Sequence, residues 1–227
     1  MSQRYDLPEV MDVRKRIERI DNEMIRYAVM AMYLFAGRVS EVVGVACPND
    51  TSTPYGPKGI DYFEETYRFP PAHPVIEEPA VIFAVKTAKK DGMLRYIGLP
   101  LNPKYEPWSS KLRDYYKSRG SSHVFPVTRQ TVYEYTRKAF EGFTYNIEKY
   151  AIFGKGESEV RDRHQKDASN HFLRHLRASD LIAFYGFTPE QQQIYGGWIL
   201  SRIPESQRRY NYLNWKSYFS NLLVERF

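Results

Sequence analysis

Apolar residues recur at three- and four-residue spacing through Ile17, Ile20, Met24, Ala28, Met32 and Phe35, the signature of one helix face. This predicts helix from Pro8 to Ala36, broken or recapped at Asp21-Asn22-Glu23. Gly37 ends the run, and Ser40-Glu41 can cap a short further helix through Val45. Cys47–Pro57, rich in Pro, Ser, Thr and Gly, reads as loop, and Pro70–Pro79 as a second proline-rich connection. Between them Ile60–Phe69 alternates aromatic and β-branched residues. Ala80–Thr87 and Met93–Leu99 predict two strands around Ala88-Lys89-Lys90-Asp91-Gly92, whose Asp-Gly is a hairpin signal. Helical patterning returns at Lys111–Arg119, Arg129–Tyr150, Ala168–Tyr185 and Pro189–Tyr195, with Gly154–Gly156 and Glu157–Asp167 as surface loop. In the tail, Trp215, Tyr218, Phe219, Leu222 and Leu223 share one helical face. The expected fold class is mainly α with a small antiparallel β-sheet (α+β), in one domain over 1–227. That domain carries an N-terminal extension at 1–20, an enlarged loop and strand region at 46–80 and a tail helix at 211–227.

With 227 residues, 42% of them hydrophobic, the chain can bury a core, which excludes a disordered basic tail. The longest uncharged apolar run, Tyr27–Gly37, is about eleven residues, whereas a spanning helix needs roughly 20. Met1–Arg16 holds no apolar secretory segment, so a cytoplasmic protein without a membrane partner is expected. The single cysteine, Cys47, leaves no internal disulfide and no multi-thiolate zinc site. A net charge of +6 is compatible with a nucleic-acid partner without requiring one. Its distribution is more telling. Lys86–Arg95 and Arg161–Arg177 are basic patches, while Asp61–Glu78 sets Asp61, Glu64, Glu65, Glu77 and Glu78 against Arg68 alone.

Four clusters hold the candidate chemistry. They are Gly37-Arg38-Val39-Ser40-Glu41, Val85-Lys86-Thr87, His171-Phe172-Leu173-Arg174-His175, and Gly196-Gly197-Trp198 followed by Arg208-Arg209-Tyr210-Asn211-Tyr212. Each alone has a plain structural explanation. Arg38 and Glu41 fit a helix ion pair, Lys86 an exposed hairpin, and Trp198 a core position. His171 and His175 have the i, i+4 spacing of metal ligands, but no third ligand and no H-E-x-x-H motif accompanies them, so no metal is expected.

Taken in order, Arg, strand Lys, His-x-x-Arg-His, Gly-Trp and Tyr resemble the catalytic constellation of the tyrosine recombinases, the phage-integrase family, over Met24–Asn214. The most specific piece is His171-x-Leu173-Arg174-His175. Gly37 stands directly before Arg38, where the family more often places a residue between them, and Trp198 takes the place of a second active-site histidine. The interval from Trp198 to Tyr210 is longer than usual, which suggests an insertion within Ile199–Ser206 with Pro204 at a turn. Arg209-Tyr210-Asn211-Tyr212-Leu213 is similar to the nucleophile's context, with Tyr210 the first choice, Tyr212 the reserve and Tyr195 behind both.

The resemblance implies a recombinase that cleaves and rejoins double-stranded DNA through a 3′-phosphotyrosyl intermediate, without cofactor, metal or ATP. It would act as a homo-tetramer on paired sites through a Holliday junction, in the cytoplasm of a prokaryotic cell or of a mobile element's host. Arg38 and Arg174 would grip the phosphate with planar donor forks. Tyr210 would attack, and Lys86 would protonate the leaving 5′-oxygen. His171 would assist proton transfer, and Trp198 would donate its indole N–H. Glu41 and His175 would support them from behind, and Lys89, Lys90, Arg95 and Arg177 would contact DNA. Too few residues precede Met24 for the DNA clamp domain that the family usually carries. The tail would either dock on a neighbouring protomer or close its own core. A type IB topoisomerase-like enzyme and a non-catalytic DNA-binding protein on the same scaffold are the alternatives.

Overall fold

The computed structural model describes residues 2–43, 60–68, 77–87, 94–120, 123–152, 158–197 and 215–227; the side chains of 2–6 and 148–163 are outside this description. Within it the chain is α+β, with two antiparallel three-stranded sheets. The first helices are α1 (Val10–Glu18) and α2 (Glu23–Leu34). The break falls where the sequence places it, because the Asn22 side chain accepts a hydrogen bond from the Ile25 amide and caps α2. Every residue from Ala28 to Leu34 is buried, so α2 is the central helix. It packs against α1, α4 (Pro107–Arg119), α5 (Arg129–Ala139) and α6 (Asn170–Ala183).

The end of α2 matters for the site. The Gly37 amide donates to the Met32 carbonyl at 2.9 Å and the Ala36 amide to that of Tyr33 at 3.0 Å. This pair of bonds is a Schellman closure, in which the left-handed position usually falls to glycine. Here Ala36 holds it at φ 44°. A left-handed non-glycine residue costs roughly 1–2 kcal/mol, so the surrounding contacts must over-determine it. Beyond it lies α3 (Val39–Val43). Its Glu41 reaches back to the Arg38 amide at 3.0 Å, as a third-position Glu does in a capping box.

The anticipated sheet is present as β2 (Asp61–Arg68), β3 (Glu77–Lys86) and β4 (Leu94–Pro100), with β3 in the middle. Across the β3–β4 ladder Val85 faces Arg95 and Lys86 faces Leu94. Trp215 lies on Gly98 so closely that a Cβ there would stand 2.8 Å from the indole Cδ2. Trp215, Tyr218, Phe219 and Leu222 are all buried in this chain's own core. Over the described residues 215–227 the tail is two 3₁₀ turns, at 215–217 and Phe219–Leu222, and irregular chain to Phe227, where one helix was expected.

The second sheet was not anticipated. It contains β1 (Ser2–Asp6), β5 (Thr144–Ile152) and β6 (Ser158–Asp167), with β5 central. The helix expected over Arg129–Tyr150 ends at Ala139, because Gly142 turns the chain at φ 73°. Tyr145 and Ile147 then alternate into the core, where Tyr145 packs on Phe172 with ring centroids 5.1 Å apart. The Glu157–Asp167 loop is mostly strand β6, held by backbone pairing to β5 rather than by apolar side chains. The last helix, α7 (Pro189–Gly196), has a full capping box at Thr188 and Gln191 and ends on Gly197 at φ 67°. No helix among the described residues is long and apolar enough to cross a membrane.

Candidate functional site

The turn after α2, the buried face of β4 and the start of α6 bring three arginines onto one carboxylate. Glu41, 1% exposed, receives Arg38 Nη1 on Oε1 at 2.9 Å and Arg95 Nη2 on Oε2 at 3.2 Å. Arg174 Nη1 lies 3.8 Å from the same Oε2. Among the described residues three cations thus share one anion, an excess of positive charge in a largely dry setting. Burial first, then Arg95, push the Arg174 guanidinium pKa down to about 9, with Arg38 adding to the push and Glu41 opposing it. Arg38 is the most open of the three, with 31% of its side chain exposed.

Two of these arginines also tie the helix ends together. Arg95 Nη1 donates to the carbonyls of Phe35, at 2.8 Å, and of Tyr195. Arg174 donates to the next carbonyl in each case, Ala36 through Nη1 and Gly196 through Nη2, the latter at 3.2 Å. Carbonyls at a helix C-terminus lack intrahelical partners and carry the negative end of the helix dipole, so cations fit there doubly well.

His171 and His175 occupy successive turns at the start of α6, with ring centroids 4.5 Å apart and planes at 85°. His171 is exposed and His175 half-buried. Burial, followed by the charges of His171, Arg174 and Lys166, pushes the His175 imidazole down to about 4, so it is neutral at pH 7. Lys86, half-buried, closes β3 one ladder position beyond Arg95. The next residue, Thr87, lines the same spot as Arg95, since a Cβ on Gly197 would come within 3.0 Å of Thr87 Cγ2 and 2.8 Å of Arg95 Cδ. The strand end bearing Lys86 therefore abuts the end of α7, where the chain runs on to Trp198. Trp198, Tyr210, Tyr212, Lys89 and Lys90 lie outside the described residues.

The structure corrects two expected DNA contacts. Arg95 is 2% exposed and Arg177 1% exposed, so neither reaches a DNA backbone from this position. Arg177 pairs with Asp180 at 3.4 Å, donates to the Tyr195 hydroxyl at 3.3 Å and lies against the rings of Tyr33 and Tyr185. Tyr195 is excluded as a nucleophile by the same arrangement. Its buried hydroxyl donates to the Leu34 carbonyl, and desolvation raises its pKa. Arg95 is the site residue whose role the sequence hid, though one signal existed: Arg95, Ile97 and Leu99 alternate on the buried face of β4.

Among the described residues no three His, Cys, Asp or Glu side chains gather as a metal-binding group. No protein-family model, curated protein or solved structure matches this chain.

Proposed function

We propose that this chain is a DNA strand transferase of the tyrosine-recombinase type, built on that family's catalytic fold. The observation that carries the reading is the convergence of Arg38 and Arg174, far apart in sequence, on Glu41 with a surplus of positive charge. A phosphodiester in line with Arg38 would supply the missing negative charge, and stabilising charge at the phosphoryl oxygens is the dominant factor in phosphoryl transfer. Tyr210 attacks phosphorus, the bond to the 5′-oxygen breaks, and Lys86 gives that oxygen its proton. The tyrosine proton passes toward His171, whose exposed ring sits on the turn preceding Arg174. The 3′-phosphotyrosyl bond conserves the energy of the broken linkage, so a 5′-hydroxyl from a second duplex reverses the step without ATP. Double-stranded DNA is the partner, with a homo-tetramer on paired sites in the cytoplasm as the assembled form.

The test is covalent capture on a nicked suicide duplex taken from the native element, read on a denaturing gel. Wild type should form an adduct that Tyr210→Phe, Arg38→Ala and Arg174→Ala abolish, and that EDTA leaves intact. An adduct lost in Tyr212→Phe and kept in Tyr210→Phe reassigns the nucleophile. Relaxation of supercoils regardless of sequence favours the type IB topoisomerase-like reading. One observation favours a second reading: Arg174 and Glu41 also hold the helix ends together, so a binding protein would keep them after losing catalysis. DNA binding without any adduct selects that reading.

A further inference from the structure

We propose that Arg95 is a positioning residue of this site, fixing Arg174 and the end of α7 instead of touching DNA; the inference rests on the strand-transfer reading above. Arg95 and Arg174 hold adjacent carbonyls at two helix ends, Phe35 and Ala36 on α2, Tyr195 and Gly196 on α7. Neither arginine alone gives that register. Arg95 sets the spacing of the two termini and Arg174 lies one residue further along both. The third contact of Arg95, Nη2 to Glu41 at 3.2 Å, ties the pair to the carboxylate that also orients Arg38. One planar side chain therefore touches the ends of α2 and α7 and the Glu41 carboxylate together.

Only a guanidinium suits the position. Its donors leave in one plane and in divergent directions, which lets it bridge two carbonyls and a carboxylate at once, whereas an ammonium is a point charge on a flexible stem. Space is made for it by Gly197, where any Cβ would stand 2.8 Å from Arg95 Cδ and 3.4 Å from Nε. Gly197 is also the last described residue before Trp198 and Tyr210, so a shift of Arg95 moves the root of the segment that carries the nucleophile. That Arg95 is 2% exposed removes the alternative of a direct phosphate contact.

The experiment uses the whole chain and compares wild type with Arg95→Met, Arg95→Lys and Gly197→Ala. First-order adduct formation is measured on the suicide duplex across DNA concentrations, with hydrogen exchange on the free proteins. In Arg95→Met the rate at saturating DNA should fall at least a hundredfold while the half-saturating concentration stays within threefold. Arg95→Lys, which restores the charge without the planar fork, should recover no more than about tenfold of that loss. Gly197→Ala, which keeps the guanidinium but displaces it, should repeat the loss in rate alone. A wild-type rate in folded Arg95→Met overturns the proposal, as does a defect confined to the half-saturating concentration. If wild type yields no adduct, the strand-transfer reading falls separately and hydrogen exchange decides the role of Arg95. Amides at Gly37–Val43 and Gln193–Gly197 exchanging at least tenfold faster in Arg95→Met sustain the positioning role, and unchanged exchange there overturns it.

Discussion

Replacing Glu41 with glutamine keeps the side chain's shape and removes the carboxylate charge that three guanidiniums face. In the native site that carboxylate accepts the Arg38 amide at 3.0 Å, Arg38 Nη1 at 2.9 Å and Arg95 Nη2 at 3.2 Å, with Arg174 Nη1 at 3.8 Å. The amide offers one acceptor oxygen and points two donors at other donors. The Arg38 pair is partly screened, since 31% of that side chain is exposed, and contributes about 1 kcal/mol at most. The Arg95 pair is 1% exposed on both sides. Removing one partner of such a buried pair costs about 3–5 kcal/mol. For a chain of this length, where 1 kcal/mol shifts Tm by about 2–4 °C, Tm should fall by roughly 6–20 °C. Thermal unfolding followed by circular dichroism gives the number. A second arm adds sulfate against chloride at equal ionic strength. The variant should gain more from sulfate than wild type does, because an anion bound only by the folded state stabilises it by mass action. A Tm loss under about 2 °C, or equal gains from sulfate, would refute the claim that Glu41 balances the cluster.

Gly98→Ala should destabilise by at least about 1–3 kcal/mol, since its Cβ would meet Trp215 Cδ2 at 2.8 Å with no flexible end to yield; an unchanged urea midpoint would contradict this. Arg226→Ala removes an Nη1 that donates to both Asp180 oxygens, at 2.7 and 2.9 Å, and should cost about 1.5–3 kcal/mol, read as a lower urea midpoint. A wild-type midpoint would show that the tail is held elsewhere. His175 titrates at about 4 in the folded chain against an ordinary 6.5, so the unfolded chain takes up the proton first as pH falls. Its contribution is fully present above about pH 6.5 and is lost on descending to about 4. His175→Gln should flatten the Tm decline over that window, and an equally steep decline in the variant would remove His175 as its source.

Much of the frame was legible because local chemistry and burial agree there. Asn22 caps α2, the apolar runs expected as two strands become the paired β3 and β4, and Pro189 opens α7. Arg38, Glu41 and Arg174 were legible as a group through their order along the chain. The hairpin β5–β6 was not, since Ser158–Asp167 is held by backbone pairing that composition does not register. Arg95 and Arg177 were misplaced because a summed basic patch carries no direction. Strand alternation turns Arg95 inward with Ile97 and Leu99, and the helical period sets Arg177 one turn from Leu173 and Leu181, both buried. The left-handed Ala36 was illegible in a stronger sense, because the glycine that marks such a turn sits one residue later, at Gly37.

The shared use of arginines by fold and site shapes how this protein tolerates genetic change. Arg174 and Arg95 gather at the Glu41 carboxylate and also tie two helix ends together, so a substitution at any of the three is penalised through abundance before activity is measured. His171 is exposed and Lys86 half-buried, so exchanging them disturbs less of the packed interior. On the strand-transfer proposal, substitutions there silence the chain while it still folds, and a lineage drifting from catalysis would shed them first. A population survey should accordingly find inactivating alleles concentrated at the surface of the site and scarce at its centre.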